Sequence, residues 1–182
     1  LPAQIRRRNL ALVMFDDVGW RDFGSYGDPR HQTPNIDALA SEGVRFTQAY
    51  AACPVCRPSR AGLLTGRNPV CSGIAGWIPG REQWPTAKLI TPRTKTYLPG
   101  GEVTLAEILQ PHGYRTASVG KWQLGGAPDH LPEQQGLHLN IGGDHHGANS
   151  CYGPLAMPGL EGRDKSHHLT QELGKAERKF RR

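Results

Sequence analysis

Between Asn9 and Phe15 the chain reads Asn-Leu-Ala-Leu-Val-Met-Phe, a nearly continuous apolar run that stops abruptly at Asp16-Asp17. An apolar run this short, without polar alternation, predicts a strand buried on both faces, which is the habit of parallel sheets covered by helices. Helical segments follow in turn. Thr33-Pro34 opens one, with the threonine as cap, Pro34 in the first turn, Ile36, Leu39 and Ala40 on one face, and Gly43 at its end. Val44 to Ala51 alternates and predicts a second strand, and Pro58-Ser59 begin another helix that Gly66 closes. Residues 67–103 are rich in Pro, Gly and Thr and read as a long surface loop. Thr104 caps a helix through Leu105, Ile108 and Leu109, which Pro111 and Gly113 terminate. Tyr114 to Val119 predicts a strand delivering Gly120-Lys121-Trp122. Beyond Gly125 the pattern is loop-like, until a polar helix from His168 to the end. Strands alternating with helices predict an α/β domain with a largely parallel sheet. Chemistry in such sheets gathers at the carboxyl ends of the strands, where Asp16-Asp17 and Lys121 both fall.

At 182 residues the chain can bury one ordinary core, and no apolar run approaches the roughly 18 residues of a membrane span. The net charge of +6 would suit a nucleic-acid binder if it were spread over one face. It is not. Arg6, Arg7 and Arg8 crowd one end, and Lys175, Arg178, Lys179, Arg181 and Arg182 the other. With residues 1–8 and 175–182 set aside, 14 basic and 15 acidic residues leave a body near neutrality, so neither nucleic acid nor membrane is expected as a partner. Four cysteines in a chain of this size are too few for a stapled scaffold and leave the redox compartment open. The chain opens on Leu1 without a hydrophobic signal segment, consistent with a processed or truncated N-terminus.

Adjacent carboxylates such as Asp16-Asp17 repel unless a cation lies between them, and their hard oxygens suit Ca²⁺ or Mg²⁺; an isolated pair is otherwise a solvated turn. The second chemical signal is Cys56-Arg57-Pro58-Ser59-Arg60, continuing through Leu63-Leu64-Thr65-Gly66-Arg67. This stretch resembles the signature of the type I, formylglycine-dependent sulfatases, of the arylsulfatase and N-acetylgalactosamine-6-sulfatase kind. Asp16-Asp17-Val18-Gly19-Trp20, Thr33-Pro34-Asn35-Ile36-Asp37 and Gly120-Lys121-Trp122 resemble the same family in the same order. The likeness runs from about residue 9 to about residue 172.

That resemblance implies an alkaline-phosphatase-like α/β fold, of which residues 1–182 would be the N-terminal part of the catalytic domain. It implies hydrolysis of sulfate monoesters by a formylglycine matured from Cys56, whose hydrate offers one hydroxyl to attack sulfur and a second to expel sulfate. Asp16, Asp17 and the group derived from Cys56 would ligate one Ca²⁺. Arg60, one helical turn past Cys56, would hold the hydrate, and Lys121 would bind the sulfate. Gln123 stands where the family usually has His, so an amide replaces a group that could carry a proton. The implied partners are a sulfated small molecule or glycan and a formylglycine-generating maturation enzyme; the implied location is periplasmic, extracellular or lysosomal. The family's remaining metal ligands, a further His and a second Lys lie downstream of the region matched here. Three alternatives stay open: a sulfatase-like fragment without turnover, a phosphate or phosphonate monoester hydrolase, and a redox or zinc site at Cys53-Pro54-Val55-Cys56. Against the last, Cys71 and Cys151 form no second Cys-x-x-Cys.

Asp144-His145-His146-Gly147 is a tempting metal cluster, but neighbouring residues seldom point at one ion, so it reads as a polar surface loop. The resemblance places it after Asn140-Ile141-Gly142-Gly143, towards the substrate entrance. His167-His168 reads as solvent-facing.

Overall fold

The computed structural model describes residues 8–76, 84–147, 155, 157–162 and 164–180. They fall into two compact units, Leu1–Ala49 and Tyr50–Arg182. No helix among the described residues is long and apolar enough to cross a membrane.

In the first unit the expected strand at residues 9–15 does not form. The segment has no regular structure, and Leu10, Leu12 and Val13 are exposed. A strand exists only through ladder hydrogen bonds to a neighbour, and no described segment of this unit is a strand. The same holds for Val44 to Ala51, where Val44, Phe46 and Tyr50 lie exposed. Helix α1 (Pro34–Glu42) does form where expected, with Pro34 in its first turn. Its apolar face is not buried, and Leu39 is exposed. Thr33 does not cap the helix backbone. Its hydroxyl instead accepts from the Gly24 N–H at 2.8 Å and donates to Asp37 Oδ1 at 3.0 Å. Asp37 Oδ1 also accepts from the Ser25 N–H at 2.6 Å, so these polar groups tie the single 3₁₀ turn Gly24–Tyr26 to α1.

The second unit carries the core. Helix α2 (Cys56–Thr65) starts two residues before the predicted onset and closes on Gly66 in the left-handed conformation. Helix α3 (Leu105–Leu109) has the predicted boundaries. Thr104 accepts from the Glu107 N–H while the Glu107 carboxylate accepts from the Thr104 N–H, a capping box. The Thr104 hydroxyl, fully buried, also donates to the Gln135 carbonyl at 2.8 Å. Strand β1 (Ala117–Val119) is shorter than expected and pairs in parallel with β2 (Leu139–Ile141), in a stretch whose sequence pattern predicts a loop. The register sets Ala117 beside Leu139 and Val119 beside Ile141. Helix α4 (Leu169–Phe180) closes the described chain.

Two apolar clusters organise this unit. Ala61, Ile74, Leu98, Trp122 and Leu124 form the first, with Leu64 and Leu137 against it. Leu155, Met157 and Leu160 form the second, covered by Ile141 and by Leu169 and Leu173 of α4. The last helix is therefore amphipathic rather than merely polar. Residues 67–103 contain no helix or strand among those described, as predicted, yet they are not a surface loop throughout: Ile74 and Leu98 are wholly buried. Arg57 explains the packing. This wholly buried side chain donates from Nε to the Gly76 carbonyl at 2.8 Å and from Nη2 to Thr94 Oγ1 at 3.2 Å. Thr94 Oγ1 also accepts from the Ala75 N–H at 2.9 Å, stitching the loop to the start of α2.

Candidate functional site

Cys56 is the first residue of α2 and is half-buried, and the next three residues, Arg57, Pro58 and Ser59, are buried behind it. The first turn is thus held from below while the cysteine stays at its rim. Burial away from water depresses the basicity of the Arg57 guanidinium, and its bonds to Gly76 and Thr94 identify it as a structural anchor. Sequence reasoning passed over Arg57. Its partners lie 19 and 37 residues away, so no local pattern announces its burial.

Arg60 sits four residues after Cys56, on the same face of α2. Its Nη1 donates to the carbonyl oxygen of Lys121 at 2.6 Å. This bond fixes the segment that leaves β1 against the helix bearing Cys56. The structure therefore brings the α2 motif and the Gly120-Lys121-Trp122 motif, 61 residues apart, into one assembly. Trp122 anchors that segment from below, being 3% exposed in the first cluster and donating from Nε1 to the His130 carbonyl at 3.0 Å.

Gln123 is held in a strained position. Its φ is +58°, in the left-handed region that side chains other than glycine rarely occupy, a conformation worth about 1–3 kcal/mol of strain. It is 3% exposed, its N–H donates to the Asp144 carbonyl at 2.8 Å, and its Oε1 is enclosed without a hydrogen-bond partner among the described residues. Asp17, at the other predicted chemical position, is likewise left-handed, with φ of +54°. Strain of this kind persists where surrounding structure imposes it.

Strands β1 and β2 run parallel, so the segments that follow them emerge at one edge of the pair. The turn after β2 is shaped by Asn140, whose side-chain Nδ2 donates to the Gly143 carbonyl and whose Oδ1 accepts from the Gly143 N–H, both at 2.9 Å. A side chain at 143 would have to displace the Asn140 amide, because a Cβ there would stand 2.5 Å from Asn140 Oδ1 and 3.1 Å from Trp122 Cβ. Asp144, His145 and His146 follow directly. Their ligand atoms all lie within 4.8 Å of one another, contrary to the expectation that neighbouring residues diverge. His167 faces solvent only in part and is paired with Asp164 at 3.0 Å.

Asp16 and Asp17 belong to the first unit. They follow an irregular segment rather than the expected strand; Asp16 is half-buried and Asp17 exposed. Two adjacent carboxylates offer hard oxygen donors, which fit Ca²⁺ in kind and fill part of the 6–8 oxygen positions that ion takes. A shallow depression of the same unit, lined by Gly24, Ser25, Asp37, Ala40 and Arg45 among others, contains none of the residues predicted to act. Cys53 and Cys56 are both unbonded thiols, as is Cys71, and Cys151 lies outside the described residues.

Comparison with known proteins bears on this arrangement. A sequence model of the Sulfatase family matches residues 8–154. The chain is 41% identical over 159 residues to human arylsulfatase A, covering 86% of this chain and 29% of that protein. It is 44% identical over 147 residues to human steryl-sulfatase, covering 81% and 23%. Human N-acetylgalactosamine-6-sulfatase is 40% identical over 129 residues, covering 71% and 24%. The chain thus spans less than a third of the length of these curated relatives. Among solved structures, Ps i-CgsB in complex with k-i-k-neocarrahexaose superimposes with a TM-score of 0.75 at 28% identity, over 91% of this chain and 39% of that one. With the signature, the parallel strands and the covering helices all in place, the chain belongs to the sulfatase family and has its α/β, alkaline-phosphatase-like fold.

Proposed function

We propose that this chain is the N-terminal part of the catalytic domain of a sulfuric ester hydrolase whose nucleophile is matured from Cys56. The observation that carries the reading is the 2.6 Å bond from Arg60 to the Lys121 carbonyl. It couples the two motifs that such chemistry would need side by side, a nucleophile at the rim of a helix and a cation for the sulfate. Cys56 would be converted to formylglycine by a maturation enzyme, and Asp16 and Asp17 would contribute carboxylates to a Ca²⁺ ion. When present, the formylglycine would supply a hydrated aldehyde as nucleophile and the Ca²⁺ would supply positive charge. Lys121 would neutralise sulfate oxygens as their charge grows, and Arg60 would hold the group at position 56 while keeping the Lys121 segment in place. Gln123 would donate its amide to an oxyanion but transfers no proton. The first turn of α2 adds backbone N–H groups that favour an anion.

The substrate class is a sulfate monoester on a small molecule or a glycan, and the proposed location is outside the cytoplasm. Gln123 and a partial metal shell favour a second reading for the 182-residue chain taken alone, a sulfatase scaffold with little turnover. A related phosphate or phosphonate ester hydrolase is the remaining competitor. One experiment separates them. After co-expression with a maturation enzyme, mass spectrometry of the Cys56 peptide should reveal the aldehyde, and Pro58→Ala or Arg60→Ala should block its formation while Cys53→Ala does not. An unmodified thiol in the parent chain would defeat the proposal. Turnover of an aryl sulfate should then exceed that of the matching aryl phosphate. Aryl sulfate turnover well below ~1 s⁻¹ fits the second reading, and preference for phosphate fits the third.

A further inference from the structure

Adjacent histidines are poor candidates for one ion on sequence grounds, yet here their side chains converge. The rings of His145 and His146 lie 4.0 Å apart between centroids, and His146 Nδ1 is 2.8 Å from Asp144 Oδ2. The backbone enforces this. The Asp144 Oδ1 accepts from the His146 N–H at 2.8 Å, which folds the turn back over its own carboxylate. His145 is seated on Gly126, where a Cβ would come within 3.0 Å of its Nδ1. Beneath the turn lies Gln123, joined to it by the bond to the Asp144 carbonyl. The Gln123 amide presses on Gly147 so closely that a Cβ at 147 would stand 2.4 Å from its Nε2. The Gln123 Oε1, in a residue 3% exposed, accepts no hydrogen bond among the described residues. An enclosed amide oxygen without a partner costs free energy unless a donor or cation serves it.

We propose that Asp144, His145 and His146 form a binding site for a borderline divalent transition metal of the Zn²⁺ class, on a turn held from beneath by the Gln123 N–H. Two imidazoles and a carboxylate are the donor set such ions prefer, whereas Ca²⁺ and Mg²⁺ favour oxygen alone. The required movement is small. Ligands on a tetrahedral Zn²⁺ at about 2.0–2.1 Å stand about 3.3 Å apart, and these atoms already lie within 4.8 Å on partly exposed side chains. The other convergent group, Asp22, Asp28 and His31, does not compete. The Arg30 guanidinium sits 3.1 Å from the Asp28 carboxylate and already neutralises it. Metal binding by Asp144, His145 and His146 does not depend on sulfate ester hydrolysis.

Calorimetric titration of the full chain with Zn²⁺ tests it, run in a Cys53→Ala, Cys56→Ala background to remove thiol ligands. One ion should bind per chain, and His145→Ala with His146→Ala should weaken binding at least ~10-fold, a loss typical of a disrupted metal site. Asp16→Asn with Asp17→Asn should leave it unchanged. Zn²⁺ binding that survives the histidine substitutions, or that vanishes with the two thiols, overturns the site. Co²⁺ added to the unsubstituted chain gives an independent reading that requires no variant to fold. Visible d–d absorption without a thiolate charge-transfer band supports the site, and a thiolate band, or no spectral change, defeats it.

Discussion

Within Leu1–Ala49, Asp28 is the sole buried residue among those described, whereas Tyr50–Arg182 encloses two apolar clusters and buries Arg57, Thr104 and Gln135 besides. The first unit is organised by polar groups. The Asp28 carboxylate accepts from the Arg30 N–H at 2.9 Å and pairs with the Arg30 and His31 side chains, while Thr33 and Asp37 gather Gly24 and Ser25. Arg45 donates to the Ser25 carbonyl and lies over the Tyr26 ring, and the Tyr26 hydroxyl donates to the Phe46 carbonyl. Hydrogen bonds exchange against water and contribute little net stability each, while apolar burial scales with the area removed from water. The difference teaches that secondary structure survives without a core only where its signals are local. Helix α1 persists with Pro34 at its start, and the apolar run at 9–15, whose strand would depend on neighbours, does not become one.

The comparison breaks most visibly at Leu98. This side chain is wholly buried between Ile74, Trp122 and Leu124, so Leu98→Ala should lower unfolding free energy by about 2–5 kcal/mol in a urea titration. A loss under ~1 kcal/mol would mean the cluster is not the unit's core.

A smaller effect is expected from acid in the first unit. Hydrogen bonds from the Arg30 side chain, then the Arg30 N–H and His31, hold the Asp28 carboxyl well below its ordinary value of 3.8. A carboxylate depressed in the folded state adds stability that is present above the unfolded value and is lost as pH falls through the folded one. The Arg30 amide, which donates to Asp28 Oδ1, should therefore lose protection against hydrogen exchange only below about pH 3.8, and Asp28→Asn should remove that acid-dependent step. An acid transition unchanged in the variant would transfer the effect to another carboxylate.

The smallest effect belongs to Leu12, exposed in the same unit. Leu12→Ala should change stability by no more than ~0.5 kcal/mol, the range of surface substitutions. A loss of the size expected at Leu98 would show that residues 9–15 are buried in solution and would remove the contrast between the units.

From the residues alone came the family, the α/β class and the capped helix at Thr104, because each rests on a short-range pattern. Capping boxes, proline at a helix start, glycine past its end and the Cys-x-Pro-Ser-Arg signature all lie within a few turns of chain. Strand β2 was missed because three residues, Leu139, Asn140 and Ile141, carry too little periodicity to announce themselves without their pairing to Ala117–Val119. The burial of Arg57, the coupling of Arg60 to Lys121, and the convergence of Asp144, His145 and His146 under the constraint of Gln123 were decided by tertiary structure. Whether a charged side chain is enclosed, and which way two neighbouring imidazoles turn, depends on partners up to 61 residues distant, and no local pattern encodes that.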